Sequence, residues 1–347
     1  MLTDVPAELL RRWDRQGARV EPLGNGLINR TFAVIDGHGR RTVLQQVNAI
    51  FEPGIHHNIA AVTEHLARKG VATPRLIPTA EGQLWAEHEG QVWRLQSAIE
   101  GLSFDAITSP AQAHAAGEFV GRWHAALGDL EHEFVARRSG VHDTPKHLAS
   151  LREAVASGAE HPLFTEVEPL AEALLAAADA LEAMPITPER VAHGDLKISN
   201  LMFADHGSTQ PWSPVALIDL DTVAPMSLGY ELGDAWRSWC NRADEDQPAA
   251  SFDLERFEAS LAGWTAGFGA ALTLPEEPLA LLLGPEWISL ELACRFAADA
   301  LFERYFGWNA ERFASRGAHN LARARGQWSL HQAMVATRPR RAALLGC

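Results

Sequence analysis

Residues 191–203 read VAHGDLKISNLMF, a polar loop sequence framed by two short apolar runs. The next apolar run, VALI at 215–218, is followed directly by Asp219 in the stretch VALIDLDTV at 215–223. Short apolar runs bounded by polar residues are typical of brief strands, so both polar groups are expected in loops. Asp195 and Asn200 are five residues apart, a spacing that suits a loop bending both side chains into one space.

These side chains offer oxygen atoms as ligands. Mg²⁺ takes a few protein oxygens and completes its shell with water and substrate phosphates. A further aspartate can act as ligand or as base, and such a set suits phosphoryl transfer, which needs positioning and charge neutralisation. The competing interpretation is that loop Asp and Asn only satisfy neighbouring backbone amides. The strand, the loop and the aspartate that ends the second strand together favour a catalytic, metal-binding site over this interpretation.

The first hundred residues contain short segments rich in β-branched and aromatic residues, separated by glycine-containing turns, and they predict antiparallel hairpins. The segments are GARVEPL, LINRTFAVI, RTVLQQV, RLIPT, QLWAEH and QVWRLQSAI. One helix is predicted among them at 54–70, where apolar residues recur at helical spacing. A small antiparallel sheet with one packed helix is therefore expected.

Beyond residue 102 the apolar period changes from two to 3.6, which predicts helices. The helical stretches are 109–127, 166–184, 228–239, 253–268 and 285–306. The fold class is therefore α+β with two lobes: a β-rich lobe at 1–96, a hinge at 97–101 and a larger, mainly helical lobe at 102–347.

Composition narrows the class of partner. The chain has 347 residues and a formal charge of −14, which argues against a protein that neutralises nucleic-acid phosphates. No run approaches the roughly 18 apolar residues of a membrane span. The three cysteines are widely spaced, and the first residues lack a signal-peptide pattern, so a cytoplasmic protein is expected. The sequence does not indicate an oligomeric state.

A glycine-containing stretch, LGNGLINRTF, lies between the first two predicted strands. Gly24 and Gly26 allow the backbone to approach a ligand closely, so that amides can face phosphate oxygens. A glycine-rich hairpin is more often only a turn. Its position relative to the two polar loops is what favours a phosphate-covering role.

HGDLKISN followed by LIDLD, with GNGLIN upstream, resembles the aminoglycoside phosphotransferase and choline kinase superfamily, which is related to the protein kinases. Within it, the chain looks most similar to the N-acetylhexosamine 1-kinases. The segments that carry this likeness are GNGLINRTF, VLQQVN, DLKISNLMF, LIDLDTVAPMSLGYELGDAWR and HNLARARGQWSL. The resemblance implies a two-lobed protein-kinase-like fold and a kinase that uses ATP and Mg²⁺.

The resemblance also implies roles for the loop residues. Asp195 accepts or orients the proton of the attacking hydroxyl, and Asn200 and Asp219 hold Mg²⁺ on the phosphates. Lys197 neutralises charge at the γ-phosphate, although a solvated loop lysine is the simpler interpretation. The expected nucleotide-binding residues are Gly24, Asn25, Gly26, Asn29, Gln46 and, for adenine at the hinge, Ser97 and Ile99.

One departure concerns the phosphate grip. Related kinases usually carry a lysine on the third strand, and the matching position here is predicted to be Gln46. A nucleotide-binding pseudokinase is one interpretation of that departure. The intact set of Asp195, Asn200 and Asp219 speaks against it.

The acceptor is expected beside Asp195 in the helical lobe. The resemblance to hexosamine kinases puts Arg295 and Tyr305 against the sugar hydroxyls and acetamido group, and Trp308 or Trp236 against the pyranose ring. The main rival acceptor is an aminoglycoside, which requires carboxylates that are not paired with arginine. The mixture of acidic and basic residues at 291–304 favours a neutral or weakly charged sugar.

Overall fold

The first part of the chain folds into a six-stranded antiparallel sheet in the order β1-β2-β3-β6-β4, with β5 paired to β6. The structure, a computed structural model, describes residues 5–24, 28–137, 142–205, 212–269, 272 and 274–347. The strands are β1 Arg19–Pro22, β2 Arg30–Ile35, β3 Arg41–Val47, β4 Leu76–Ile77, β5 Ala86–His88 and β6 Gln91–Ser97. Each corresponds to a predicted strand.

The two faces of this sheet pack differently. On one face Leu44 joins a cluster with Leu9 and Leu10 of helix α1, Ala7–Arg11. On the other side lies α2, Ile55–Arg68, whose apolar stripe is buried, as its helical spacing predicts. That stripe belongs to a cluster that also contains Trp123 and Leu220, so one apolar core joins the sheet side to the helical part.

Helices make up most of the remaining described chain. They are α3 Pro110–Ala126, α4 Thr144–Ser157, α5 Phe164–Ala180, α6 Leu228–Trp239, α7 Leu254–Phe268, α8 Glu277–Phe302 and α9 Arg316–Leu345. Among them lie two small antiparallel sheets, formed by β7 Glu189–Ala192 with β10 Ala224–Ser227 and by β8 Leu201–Phe203 with β9 Pro214–Leu217. The predicted fold class, a small antiparallel sheet followed by a mainly helical part, is confirmed.

One predicted helix boundary is wrong. The sequence predicts a helix over 285–306, but α8 begins at Glu277, continues through Pro285 and ends at Phe302. A proline lacks the amide hydrogen for the helix ladder, which is why it suggests a boundary. Here α8 packs closely along α6: a methyl group on Gly284 would lie 1.9 Å from the carbonyl oxygen of Gly229. Packing, which local sequence does not reveal, therefore overrides the boundary signal.

The connector after β6 is anchored to β8, the strand that follows the first polar loop. Leu102 and Phe203 exchange two backbone hydrogen bonds of 2.8 Å, which pin the chain three residues after Asn200. Within the described ranges, no helix combines the length and the apolar composition that crossing a membrane requires.

Candidate active site

The two polar loops lie side by side because their flanking strands pair. The first loop joins β7 to β8 and the second joins β9 to β10. Two hydrogen bonds connect the loops: the Ile218 amide donates to the Asn200 carbonyl at 2.9 Å, and the Thr222 hydroxyl donates to the His193 carbonyl at 2.8 Å. Gly194 has φ +80°, and a methyl group there would lie 2.8 Å from the Thr222 carbonyl oxygen. Glycine therefore permits the close approach.

Asp195, Lys197 and Asn200 form one hydrogen-bonded group. The Lys197 ammonium donates to Asp195 Oδ2 at 2.7 Å, and the Asn200 amide donates to the same oxygen at 3.1 Å and to the Asp195 carbonyl at 2.9 Å. Burial opposes the charge on Lys197, but Asp195, Asp219 and Asp234 raise its pKa overall. The lysine is thus held charged beside the predicted base.

Asp219 ends its strand in a left-handed conformation, with φ 64° and ψ 57°. Aspartate tolerates this region better than most residues. Burial, followed by the carboxylates of Asp221 and Asp195, raises the pKa of Asp219, while Lys197 and Arg94 oppose the shift. The charges of Asp195 and Asp221 thus act on an Asp219 carboxylate that is itself partly desolvated.

The donor set fits the predicted magnesium site. Asn200 directs its amide nitrogen to Asp195, which leaves its carbonyl oxygen as the remaining polar atom of that side chain. A cation held by Asn200 and Asp219 would offset the repulsion that raises the pKa of Asp219. Within the described residues, no cluster of three or more His, Cys, Asp or Glu forms a metal site. Magnesium does not need one, since it binds through one or two carboxylates plus water and phosphates.

His193 and Glu231 hold the backbone of the first loop through hydrogen bonds. The His193 ring lies between the Ile218 carbonyl, at 2.9 Å from Nε2, and the Asp195 amide, at 3.3 Å from Nδ1. Glu231, on α6, accepts the backbone amides of His193 and Gly194 at 2.7 and 2.9 Å. Burial works to raise the pKa of Glu231, but hydrogen bonds and nearby imidazoles hold it below its usual value.

Sequence reasoning missed Glu231. It lies in the amphipathic segment LGYELGDAWRSW, where it occupies a position on the buried face. A charged residue on the buried face of a predicted helix is a usable signal, because buried carboxylates are almost always paired.

The first lobe contributes Asn29, Gln45 and Arg94 to the site. The Asn29 amide donates to Asp221 Oδ2 at 2.6 Å, and Arg94 forms a close ion pair with Asp221 Oδ1. Gln45 Oε1 accepts from the Arg94 guanidinium at 2.7 and 2.9 Å. The predicted residue Asn29 is therefore brought to the loop that carries Asp219, whereas Arg94 and Gln45 were not predicted.

The structure does not bring Gln46 to this group, and the prediction for it needs correction. Successive side chains of a strand point to opposite faces, so Gln45 shares a face with Arg94 and Gln46 does not. Gln46 instead contacts Arg30 at 3.2 Å and Gln91 at 3.1 Å, close to solvent. Moving the register by one residue exchanges the faces, which explains the error.

The remaining nucleotide residues stay predictions. Gly24 has φ +70°, and a methyl group added to it would meet none of the described atoms within 4 Å. Asn25 and Gly26 lie outside the described residues. Ser97 already uses its amide and hydroxyl on the backbone of Arg75, at 2.9 Å each, and Ile99 is half-buried in the connector.

Trp236 is not accessible to a sugar. It is 0% exposed and packs edge-on against Phe257 with ring centroids 4.8 Å apart, so the predicted sugar-stacking role is wrong for this residue. The helix α6 is amphipathic, and its tryptophan belongs to the core face. Tyr305 and Trp308 are 57% and 37% exposed, and the Arg295 guanidinium lies 5.9 Å from the Tyr305 ring.

A line of alternating charges leads from the loop toward that aromatic segment. Arg237 donates to Asp234 at 2.9 and 3.0 Å and lies 3.9 Å from Glu245. Glu245 in turn lies 3.5 Å from Arg323, which donates to the Gly307 carbonyl at 2.8 Å. Both signs of charge are thus interleaved beside the predicted acceptor residues.

Residues 19–267 match the family described as the phosphotransferase enzyme family. Among solved structures, an aminoglycoside phosphotransferase from Alicyclobacillus acidocaldarius shares 15% identity at a TM-score of 0.63, covering 99% of this chain and 98% of that chain. The amicoumacin kinase hAmiN, in complex with AMP-PNP, Ca²⁺ and Ami, shares 12% identity at 0.60, covering 92% and 90%. A microcompartment-associated aminopropanol kinase shares 15% at 0.60, covering 96% and 97%. At these identities the likeness establishes the fold, and it agrees with the predicted kinase-like class.

Proposed function

The chain belongs to the phosphotransferase enzyme family, and on that premise we propose an ATP- and Mg²⁺-dependent kinase that phosphorylates a hydroxyl group of a small molecule. The acceptor we propose is the anomeric hydroxyl of an N-acetylhexosamine or a related hexose or hexosamine. The observation that carries the proposal is the meeting of Asp195, Lys197, Asn200 and Asp219 at two neighbouring loops.

Asp195 is the proposed base. Its Oδ2 accepts from Lys197 and Asn200, which orient the carboxylate, and we assign Oδ1 to the acceptor hydroxyl. A carboxylate so placed accepts the hydroxyl proton as the oxygen attacks phosphorus. Lys197 is proposed to turn from Asp195 toward the transferred phosphoryl group, where a cation stabilises developing charge. Bound Mg²⁺, held by Asn200 and Asp219, would neutralise the phosphate oxygens.

Three acidic residues in and directly after α8 support a neutral acceptor over an aminoglycoside. Glu291 accepts from the Thr144 hydroxyl at 2.9 Å and lies 3.4 Å from His142, so it is already partnered. Asp299 caps three successive backbone amides at the end of α8, at 2.9 to 3.0 Å. Glu303 accepts the Gly317 amide at 2.5 Å. A polycation needs carboxylates without such partners.

The charge line from Asp234 to Arg323 argues the same way. Its carboxylates alternate with arginines, so that hydroxyl groups can both donate and accept there. Arg295, Tyr305 and Trp308 remain the proposed contacts for the sugar. The second candidate, phosphorylation of an aminoglycoside or another small alcohol, rests on the printed names of the similar structures.

The direct test is ADP release across hexoses, hexosamines, N-acetylhexosamines, aminoglycosides and choline. We expect the highest kcat/KM with an N-acetylhexosamine, and a loss of about 10²- to 10⁴-fold in kcat for Asp195→Asn. Activity confined to aminoglycosides would overturn the sugar assignment. Nucleotide binding without ADP release from any acceptor would favour the pseudokinase interpretation.

A methyl glycoside tests the position of transfer. The methyl group blocks the anomeric hydroxyl and leaves the other hydroxyls available. We expect no phosphorylation of the glycoside under conditions where the parent sugar reacts. Phosphorylation at an unchanged rate would show that another hydroxyl is the acceptor.

A further inference from the structure

A buried ion pair joins the sheet of the first lobe to the loop that carries Asp219. Arg94 lies on β6, is 1% exposed, and pairs closely with Asp221, which is also buried. The two residues are 127 positions apart in the chain. Taking two charges out of water is costly unless the geometry and the remaining hydrogen bonds are satisfied, so this pair is expected to have a function besides stability.

Both partners of the pair are held by further groups of the first lobe. Gln45 Oε1 accepts from Arg94 Nε at 2.9 Å and Nη2 at 2.7 Å, which fixes the plane of the guanidinium. The second oxygen of Asp221 accepts from Asn29 at 2.6 Å, and Asn29 Oδ1 accepts the Asn48 amide at 2.9 Å. The network is thus satisfied by β3, by β6 and by Asn29, the residue directly before β2.

The loop that receives this network is also held from the opposite side. Asp221 and Thr222 lie in the 3₁₀ turn Leu220–Thr222, directly after Asp219. The Thr222 hydroxyl donates to His193 of the other loop at 2.8 Å. The turn is therefore bonded on one side to the loop that carries Asp195 and on the other side to the sheet of the first lobe. Asp219 directly precedes this turn, which is held from both sides.

We infer that Arg94 is a positioning residue: through Asp221 it ties the first-lobe sheet to the turn after Asp219 and orders that turn for the metal–nucleotide complex. The inference rests on the proposed kinase function. The inference gives Arg94, Gln45 and Asp221 a positioning role. Neither the resemblance described above nor the family match over residues 19–267 assigns that role to them. Every group in the network belongs to the chain itself, so the ordering does not require the nucleotide.

The test uses a charge-neutral double variant, Arg94→Met with Asp221→Asn, which removes the tie without leaving a buried charge unpaired. The matched control is Arg341→Met with Glu286→Gln, because those residues form another buried ion pair, between α8 and α9. Arg94→Lys keeps the cation and is expected to behave between the wild type and the double variant. If the double variant does not fold, Arg94→Lys and Asp221→Asn are compared singly.

Two measurements decide the outcome. Hydrogen exchange at residues 218–223 of the nucleotide-free protein is expected to speed up in the double variant and not in the control. Calorimetric titration with AMP-PNP is expected to require roughly fivefold or more Mg²⁺ for half-maximal binding. Unchanged exchange at 218–223, or equal acceleration in the control, overturns the inference. If the wild type does not bind AMP-PNP, the proposed kinase function fails while the exchange result still decides the tie.

Discussion

At the residue scale, the charged form of Asp219 is destabilised by its surroundings. Burial and the nearby carboxylates of Asp221 and Asp195 raise its pKa. Its left-handed backbone keeps the carboxylate at the loop junction. A residue that is both poorly solvated and repelled by its neighbours has a stability cost that a bound cation would relieve.

Replacing Asp219 by asparagine tests this cost through the pH dependence of stability. The folded state binds the proton more tightly than the unfolded chain, whose pKa is near 3.8. The metal-free protein therefore loses stability as pH rises from that value through the raised folded pKa. Asp219→Asn, which keeps the left-handed preference, is expected to raise the melting temperature at pH 7. The gain should vanish as pH falls and the wild-type carboxyl becomes neutral.

The control is Asp105→Asn, an exposed aspartate outside the site. It is expected to leave the melting temperature unchanged across the same pH range. Added Mg²⁺ should stabilise the wild type and the control but not Asp219→Asn. If the difference in melting temperature between the wild type and Asp219→Asn were the same at every pH, the electrostatic account would be contradicted.

At the element scale, α6 holds the backbone of the first polar loop. Its Glu231 accepts two loop amides, its Trp239 indole donates to the Leu196 carbonyl at 2.7 Å, and its Asp234 begins the charge line toward the proposed acceptor residues. One helix therefore sets the loop backbone, and with it the direction of the Asp195 side chain.

Glu231→Gln tests the loop anchor. A carboxylate accepts both amides, whereas an amide group has one accepting oxygen and turns donors toward the other backbone N–H. We expect a loss of about 1–3 kcal/mol in the free energy of unfolding, measured with urea, together with a lower kcat. Glu258→Gln, on the exposed face of α7, is the control and should change stability by less than about 0.5 kcal/mol. Equal unfolding curves for the two variants would rule out the anchor.

The close contact between α6 and α8 can be tested by adding a methyl group at Gly284. Gly284→Ala places a methyl group 1.9 Å from the Gly229 carbonyl oxygen, so the helices must move apart. We expect a loss of about 1–3 kcal/mol in unfolding free energy by thermal or urea denaturation. Gly37→Ala is the control, because none of the described atoms lies within 4 Å of its added methyl. A Gly284→Ala protein as stable as that control would show that the helices are not in close contact.

At the scale of the whole molecule, charge separates the two acceptor classes. The net charge of −14 attracts cations over several ångströms, and salt screens that attraction. With saturating ATP and Mg²⁺, we expect kcat/KM for a neutral N-acetylhexosamine to change less than about twofold between low and high KCl. An aminoglycoside acceptor would instead show a steep fall as salt rises. Initial rates at several KCl concentrations measure the difference.

Much of the fold and the centre of the site could be predicted from local sequence. Strand and helix periods depend on nearby residues, so the six strands and α2 were predicted. Asp195 and Asn200 lie five positions apart, and their meeting in one loop was predicted from that spacing. The place of Lys197 beside Asp195 was implied by the family resemblance. The register of β3 could not be read in the same way, because a shift of one residue reverses its faces.

The sequence by itself determined the two-part α+β organisation and the polar loops, since periodicity and turn chemistry act over short distances. Only the tertiary structure decided that Arg94 meets Asp221, that Glu231 holds the loop, and that Trp236 belongs to the core. These contacts join elements distant in the chain. An amphipathic pattern says which residues are apolar but not which neighbour covers them, and that choice is made by the packing of the whole molecule.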